Sequence, residues 1–324
     1  MGPLVWESAT SPGSRVVIQQ PGLPILSFTT VAKFYSALLV CGQTRAGKIG
    51  PLALTDIGAT AKALVAISCQ IADGGSPGIK LFQAQVLLSH THFPEDLELS
   101  FEFGRAATVR IAIQEILRSV EPPASKLRTR FQQYLQQPST RKVLDIGGRA
   151  RSGLLRAGEM KDKDVTVLDI VPDVGVNVVA DAHRLSSVLP SSYFDAVTST
   201  AVFEHLVMPW KVAIEMNRVM KVGALAFIHT HQTIGMHDLP WDYFRFSDNA
   251  WKGIFNKHTG FEIVGTELSS PQYIVPFVWS QAHRDAEKTA GFETSIVCVR
   301  KITATALDWP LDASDVTQDK YPLD

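Results

Sequence analysis

At 324 residues the chain is too long for one small domain and of a size for two. A hydrophobic share of 45% against 19% charged residues supplies sizeable apolar cores and excludes wholesale disorder. With 31 basic and 32 acidic residues the net charge is -1, so no overall charge favours a nucleic-acid partner, and none is expected. Cys41, Cys69 and Cys298 are scattered without a C-x-x-C pair, which argues against a disulfide framework or structural zinc and fits a reducing, cytoplasmic setting. The first residues lack the basic-then-apolar pattern of a secretory signal, and Trp6 stands where myristoylation needs Ser or Thr. The longest apolar runs fall far short of the roughly 20 residues of a membrane helix, so no membrane association is expected.

Residues 1–121 are read as a β-rich accessory domain. Strands are expected at 15–19, 25–31, 34–41, 63–71, 81–89, 97–103 and 107–113, separated by Gly-, Pro- and Asp-rich turns. Alternation is plain in Leu97-Glu98-Leu99-Ser100-Phe101-Glu102-Phe103, and several such strands suggest a sandwich. Residues 107–120 also fit a helical face, an alternative that stays open. Pro122 and Pro123 end this region, and 122–138 is read as a polar linker helix closed by Pro138.

From 139 to 304 the pattern alternates strand and helix. Apolar runs at 142–146, 165–170, 177–180, 194–199, 224–230, 261–268 and 295–301 predict seven strands, the first five near-continuous, as in parallel strands covered on both faces. Leu206, Trp210, Ala213, Met216 and Met220 form one helical stripe. The expected fold class is α/β, a doubly wound Rossmann-like sheet, followed by a tail at 305–324.

The chemistry concentrates in Val143-Leu144-Asp145-Ile146-Gly147-Gly148-Arg149, a strand running into a glycine turn that lets a ligand approach the backbone, with a helix expected next. Asp169 ends the second strand, where a carboxylate accepts ribose hydroxyls, and Asp181 follows the third, within reach of a base amine. In an open α/β sheet such positions share the crevice at the carboxyl ends of the strands. Together with Phe194-Asp195-Ala196-Val197-Thr198-Ser199, Phe203-Glu204-His205-Leu206, Arg218–Ala224 and Thr259-Gly260-Phe261, this series resembles class I S-adenosylmethionine-dependent methyltransferases over about half the chain.

The resemblance implies S-adenosyl-L-methionine as cofactor. It places Gly147 and Gly148 at the methionine part, Asp169 at the ribose and Asp181 near adenine, with Asp145, Ile170, Ala182 and Ser199 as further cofactor-binding residues. Two departures stand out: Arg149 replaces a usual glycine, and Lys221-Val222-Gly223-Ala224 replaces the usual Lys-Pro-Gly-Gly. For a hydroxyl acceptor the chemistry asks for alignment and a base, and His231, His237 and His205 are the catalytic candidates, in that order. Some relatives hold a divalent ion with Glu-x-x-Glu-His. Here Glu204 and His205 match and Ala201 does not, so no metal is expected, with His229, His231 or His237 the available replacements.

Two other features carry less weight. Gly42–Lys48 follows a phosphate-binding loop until Ile49 takes the magnesium-binding position, and His90-Thr91-His92 has no companions. The reading is thus transfer of a methyl group to a hydroxyl of a small-molecule or carbohydrate substrate, with a homodimer through the first domain left open. The alternatives are an NAD-dependent oxidoreductase, weakened by the absence of G-x-G-x-x-G, and a non-catalytic binding protein that keeps the fold.

Overall fold

The computed structural model describes residues 4–7, 15–18, 26–34, 37–45, 52–56, 66–73, 79–87, 97–103, 107–112, 125–149, 160, 162–272, 274 and 291–321. They fall into two compact units, Met1–Pro122 and Pro123–Asp324.

In the first unit, β1 (Leu4–Glu7), β2 (Arg15–Ile18), β3 (Leu26–Phe34), β4 (Ala37–Arg45), β6 (Ala66–Asp73) and β7 (Ile79–Leu87) form a six-stranded sheet in the order β1-β2-β3-β4-β7-β6. A second sheet joins β5 (Leu52–Asp56), β8 (Leu97–Phe103) and β9 (Ala107–Ala112) in the order β5-β8-β9. Every pairing is antiparallel. Residues 107–112 are strand, which decides that part of the ambiguous segment against a helix; 113–120 lie outside the described residues. The short β1 and β5 were not anticipated, being too brief to show a period. Gly42 to Arg45 of the phosphate-loop lookalike belong to β4, whereas 46–49 and His90-Thr91-His92 lie outside the described residues.

The second unit opens with helix α1 (Lys126–Leu135), capped by the Ser125 hydroxyl, which accepts from Arg128 N at 3.0 Å. Seven strands follow: β10 (Lys142–Ile146), β11 (Asp164–Asp169), β12 (Val178–Val179), β13 (Phe194–Thr200), β14 (Met220–His231), β15 (Phe261–Gln272) and β16 (Gly291–Lys301). Their order is β12-β11-β10-β13-β14-β16-β15, with β10 to β14 mutually parallel and β16 antiparallel to both its neighbours. The predicted fold class, a seven-stranded Rossmann-like sheet in one unit beside a separate β-rich unit, is what the chain adopts.

Side chains alternate across a strand, and both faces of this sheet are covered. Leu144, Ile146 and Val197 point to one core, which takes in Val212, Ala213, Met216 and Val219 of helix α3 (Pro209–Val219) and Trp251 of α4 (Ala250–Ile254), while α2 (Leu185–Val188) contributes Leu185. Val143, Ala196 and Phe227 point to the other, where α1 lies; Phe131 stacks on Phe227 with centroids 5.4 Å apart. The segment read from sequence as a linker thus packs on the sheet. Helix α3 starts at Pro209, a residue preorganised for the first helical position, so Leu206 precedes the helix although it is buried as the stripe predicts. Residues 150–159, where a helix was expected after the glycine turn, lie outside the described residues.

From β10 the successive strands run outward one way to β12 and then the other way from β13, and this switch between the parallel strands β10 and β13 is the place where open α/β sheets hold their ligands.

Candidate active site

At that switch point lies a cavity of about 440 Å³, within the range of small-molecule sites. Gly147, Asp169, Ile170, Asp181 and Ala182 line it, and so do His205, His231 and His237. Eight of the eleven residues expected at the site therefore share one space.

The glycine turn is tightly bound. Gly147 N donates to Leu168 O at 2.7 Å, and Gly147 adopts a φ of +69°. A Cβ there would lie 2.1 Å from Val202 Cγ2, so both the conformation and the packing demand glycine. Gly148 and Asp145 do not line the cavity. Asp145 is fully buried beneath the turn, and a Cβ on Gly148 would meet Asp145 Oδ2 at 2.6 Å. Ser199 is likewise buried outside the lining. Asp145 and Gly148 thus pack against each other behind the turn, and Ser199 lies within β13.

Arg149, the departure that cast doubt on the turn, is accommodated through its backbone: its N–H donates to Asp169 Oδ2 at 3.3 Å. Asp169 Oδ1 accepts from Val171 N at 2.9 Å, so the carboxylate is aimed while keeping lone pairs for a ligand. Asp181 Oδ1 accepts from His183 N at 2.9 Å and from the His183 ring at 2.6 Å. Burial alone would raise the Asp181 carboxyl, but the His183 contacts outweigh it and hold the group below its ordinary value. The ring's other nitrogen, Nε2, accepts from Met208 N at 3.2 Å, which fixes the tautomer with the proton on Nδ1.

The other end of the cavity is built by β14 and the loop after it. Glu204 is fully buried, and the Thr230 hydroxyl donates to its Oε2. His231 Nε2 lies 3.3 Å and His205 Nε2 3.8 Å from Glu204 Oε1. The rings of His205 and His237 meet edge to face at 4.9 Å, those of His231 and His237 at 5.7 Å. His205 Nδ1–H donates to Trp241 O, and His237 Nδ1–H to Gly235 O at 3.1 Å. Asp242 secures the loop: Arg245 clamps its two oxygens at 2.6 and 2.8 Å, and Oδ2 accepts from His237 N at 3.0 Å. The Arg245 guanidinium pulls the Asp242 carboxyl down to about 2. His229 stays within β14 and does not line the cavity.

Sequence reasoning missed His183 and Tyr321 in the lining, which also includes Trp241. Tyr321 comes from the tail, its ring edge-on to His205 at 6.2 Å and to Trp241 at 5.7 Å, and Trp241 Nε1 donates to Asp319 O at 3.1 Å. No periodicity signals this. Among the described residues no helix is long and apolar enough to cross a membrane.

Comparison with known families matches residues 144–228 to a methyltransferase domain. That stretch runs from β10 to β14 and contains the glycine turn, Asp169, Asp181, Glu204 and His205. The match supports S-adenosyl-L-methionine as the cofactor. The residues fit it: a glycine cradle that tolerates no Cβ, then two aimed carboxylates, in a cavity of suitable volume.

Among solved structures, similar chains include a Haloferax volcanii protein assigned as a methyltransferase, in complex with the Trm112 methyltransferase activator (17% identity, 53% of this chain and 88% of that one, TM-score 0.39). A Bacillus halodurans protein assigned as a methyltransferase is 15% identical, over 54% of this chain and 98% of that one, with a TM-score of 0.41. An S-adenosylmethionine-dependent methyltransferase from Mesorhizobium loti is 14% identical, over 55% of this chain and 98% of that one, with a TM-score of 0.35. Comparison with curated proteins finds no match.

Proposed function

We propose that the second unit transfers a methyl group from S-adenosyl-L-methionine to a hydroxyl of a small molecule, sugar or glycan. One observation carries this reading: a single cavity is lined both by Gly147, Asp169 and Asp181 and by His205, His231 and His237. The bound cofactor supplies an already activated methyl on a sulfonium, so the protein's task is alignment and proton removal. Asp169 and Asp181 hold the nucleoside half, and the Gly147 turn admits the methionine half. His231 takes the proton that the acceptor hydroxyl loses, with the buried Glu204 carboxylate 3.3 Å from its Nε2 stabilising the imidazolium.

Calorimetry with S-adenosylhomocysteine and NAD tests the cofactor. Binding of the first and not the second is expected, and the reverse would favour the oxidoreductase reading. Asp169→Ala weakens S-adenosylhomocysteine at least about 10-fold, as loss of charged hydrogen bonds requires. His231→Ala leaves that binding nearly intact while methyl transfer falls by roughly 100-fold or more. Equal loss of both in His231→Ala would contradict the base role.

A further inference from the structure

We propose that Glu204, His205 and His237 form a binding site for a divalent first-row transition ion, of the zinc, iron or manganese kind, at the histidine end of the cavity. The sequence argued against a metal because Ala201 offers no carboxylate; the fold brings His237 to the place instead. One ligand atom from each of the three residues lies within 4.8 Å of the others.

Glu204 supplies the strongest argument. Its side chain is fully buried, Thr230 satisfies Oε2, and Oε1 makes no hydrogen bond but faces the imidazole nitrogens of His231 at 3.3 Å and His205 at 3.8 Å. A buried carboxylate oxygen left without a hydrogen bond is costly, and a cation removes that cost. The imidazoles are prepared in the matching sense. His205 and His237 each donate Nδ1–H to a backbone carbonyl, which leaves the lone pair on Nε2 and is the usual support of a metal-bound histidine.

The spacing also fits. Ligands bonded at about 2.0 to 2.2 Å to one tetrahedral ion stand about 3.4 Å apart. His205 Nε2 lies 3.8 Å from Glu204 Oε1, and a ring nitrogen of His237, partly exposed on its loop, lies within 4.8 Å of both. Asp238 Oδ2, 3.7 Å from His205 Nε2, adds a second negative charge beside the site. Two imidazoles and a carboxylate suit zinc, iron or manganese better than calcium or magnesium, which favour all-oxygen sets. Three protein ligands leave coordination positions open towards the cavity. If the methyl-transfer reading holds, on which this clause rests, such an ion selects acceptors with two neighbouring oxygens that chelate it.

The test uses the full chain, stripped with a chelator and titrated with Zn²⁺, Mn²⁺ and Mg²⁺ by calorimetry, with elemental analysis after dialysis. We expect one Zn²⁺ or Mn²⁺ per chain, Mg²⁺ far weaker, and affinity at least about 10-fold lower in Glu204→Gln and His237→Ala. Thermal melts check that each variant is folded. His237 is partly exposed, so its variant decides the matter if Glu204→Gln does not fold. Absence of stoichiometric binding, or binding that His237→Ala leaves unchanged, overturns the proposal. S-adenosylhomocysteine titrations on the same samples separate the two readings: cofactor binding without metal sinks only the ion site, and metal without cofactor sinks only the methyl-transfer reading.

Discussion

Gly147 shows how much a single hydrogen atom decides. Its φ of +69° and the 2.1 Å approach that a Cβ would make to Val202 Cγ2 are two separate demands for glycine. Gly147→Ala is expected to destabilise the second unit by at least about 1 to 2 kcal/mol, the cost of a left-handed alanine before the overlap with Val202 is relieved, and to weaken S-adenosylhomocysteine binding as well. Thermal melts with and without ligand measure both effects; unchanged affinity would mean that the turn does not touch the cofactor. The aspartates illustrate a limit of reading residues singly. Asp145 pairs with Val167, so Asp145 and Asp169 lie on the same pleat face, but Asp169 stands two residues further towards the carboxyl ends and reaches the cavity, while Asp145 stays buried beneath the glycine turn. Residue type was legible at both; how far each reaches along the sheet depends on the register of the folded strands. Arg149 was legible as an anomaly, whereas its solution, a backbone donation to Asp169, involves no side-chain signal at all.

Elements are stitched together at their starts as well as their ends. Asp195, near the start of β13, accepts from Arg141 N at 3.0 Å and Lys142 N at 2.9 Å, and from Lys221 Nζ at 2.6 Å, so it joins the beginnings of β10, β13 and β14. Burial works to raise its carboxyl, but Lys221 and the two amides prevail and the group lies below its ordinary value of 3.8. A depressed carboxylate stabilises the fold at pH above that ordinary value, and the contribution disappears as pH falls below it. Asp195→Asn should therefore cost about 2 kcal/mol at neutral pH. The difference from the unsubstituted chain should shrink on acidification below pH 4, as melts across that range would reveal; a difference independent of pH would remove the charge from the explanation. Strands β10, β11 and β13 were readable because their apolar runs are near-continuous and rich in β-branched residues. The pairing of β16 between β14 and β15 was not, because antiparallel insertion is set by long-range register rather than local pattern.

At the scale of the molecule, two units with separate sheets imply separable stability. Residues 123–324 expressed alone should melt cooperatively and bind S-adenosylhomocysteine with the affinity of the full chain, and loss of binding in that fragment would assign the first unit a part in the site. The alternation of strand and helix made the second unit's class readable, and the antiparallel strands did so for the first. The acceptor end of the cavity was only half legible: its histidines were visible as residue types, but the loop that returns His237 and the tail that contributes Tyr321 carry no period. One arrangement reaches from the nucleoside end into the scaffold. The His183 imidazole spans Asp181 and the amide of Met208, the residue just ahead of α3. If Asp181 engages the nucleoside as proposed, the ligand competes for the charge that steers this ring, and donor occupancy and the seating of α3 on the sheet would become one linked equilibrium: whatever tightens one would, by reciprocity, bias the other.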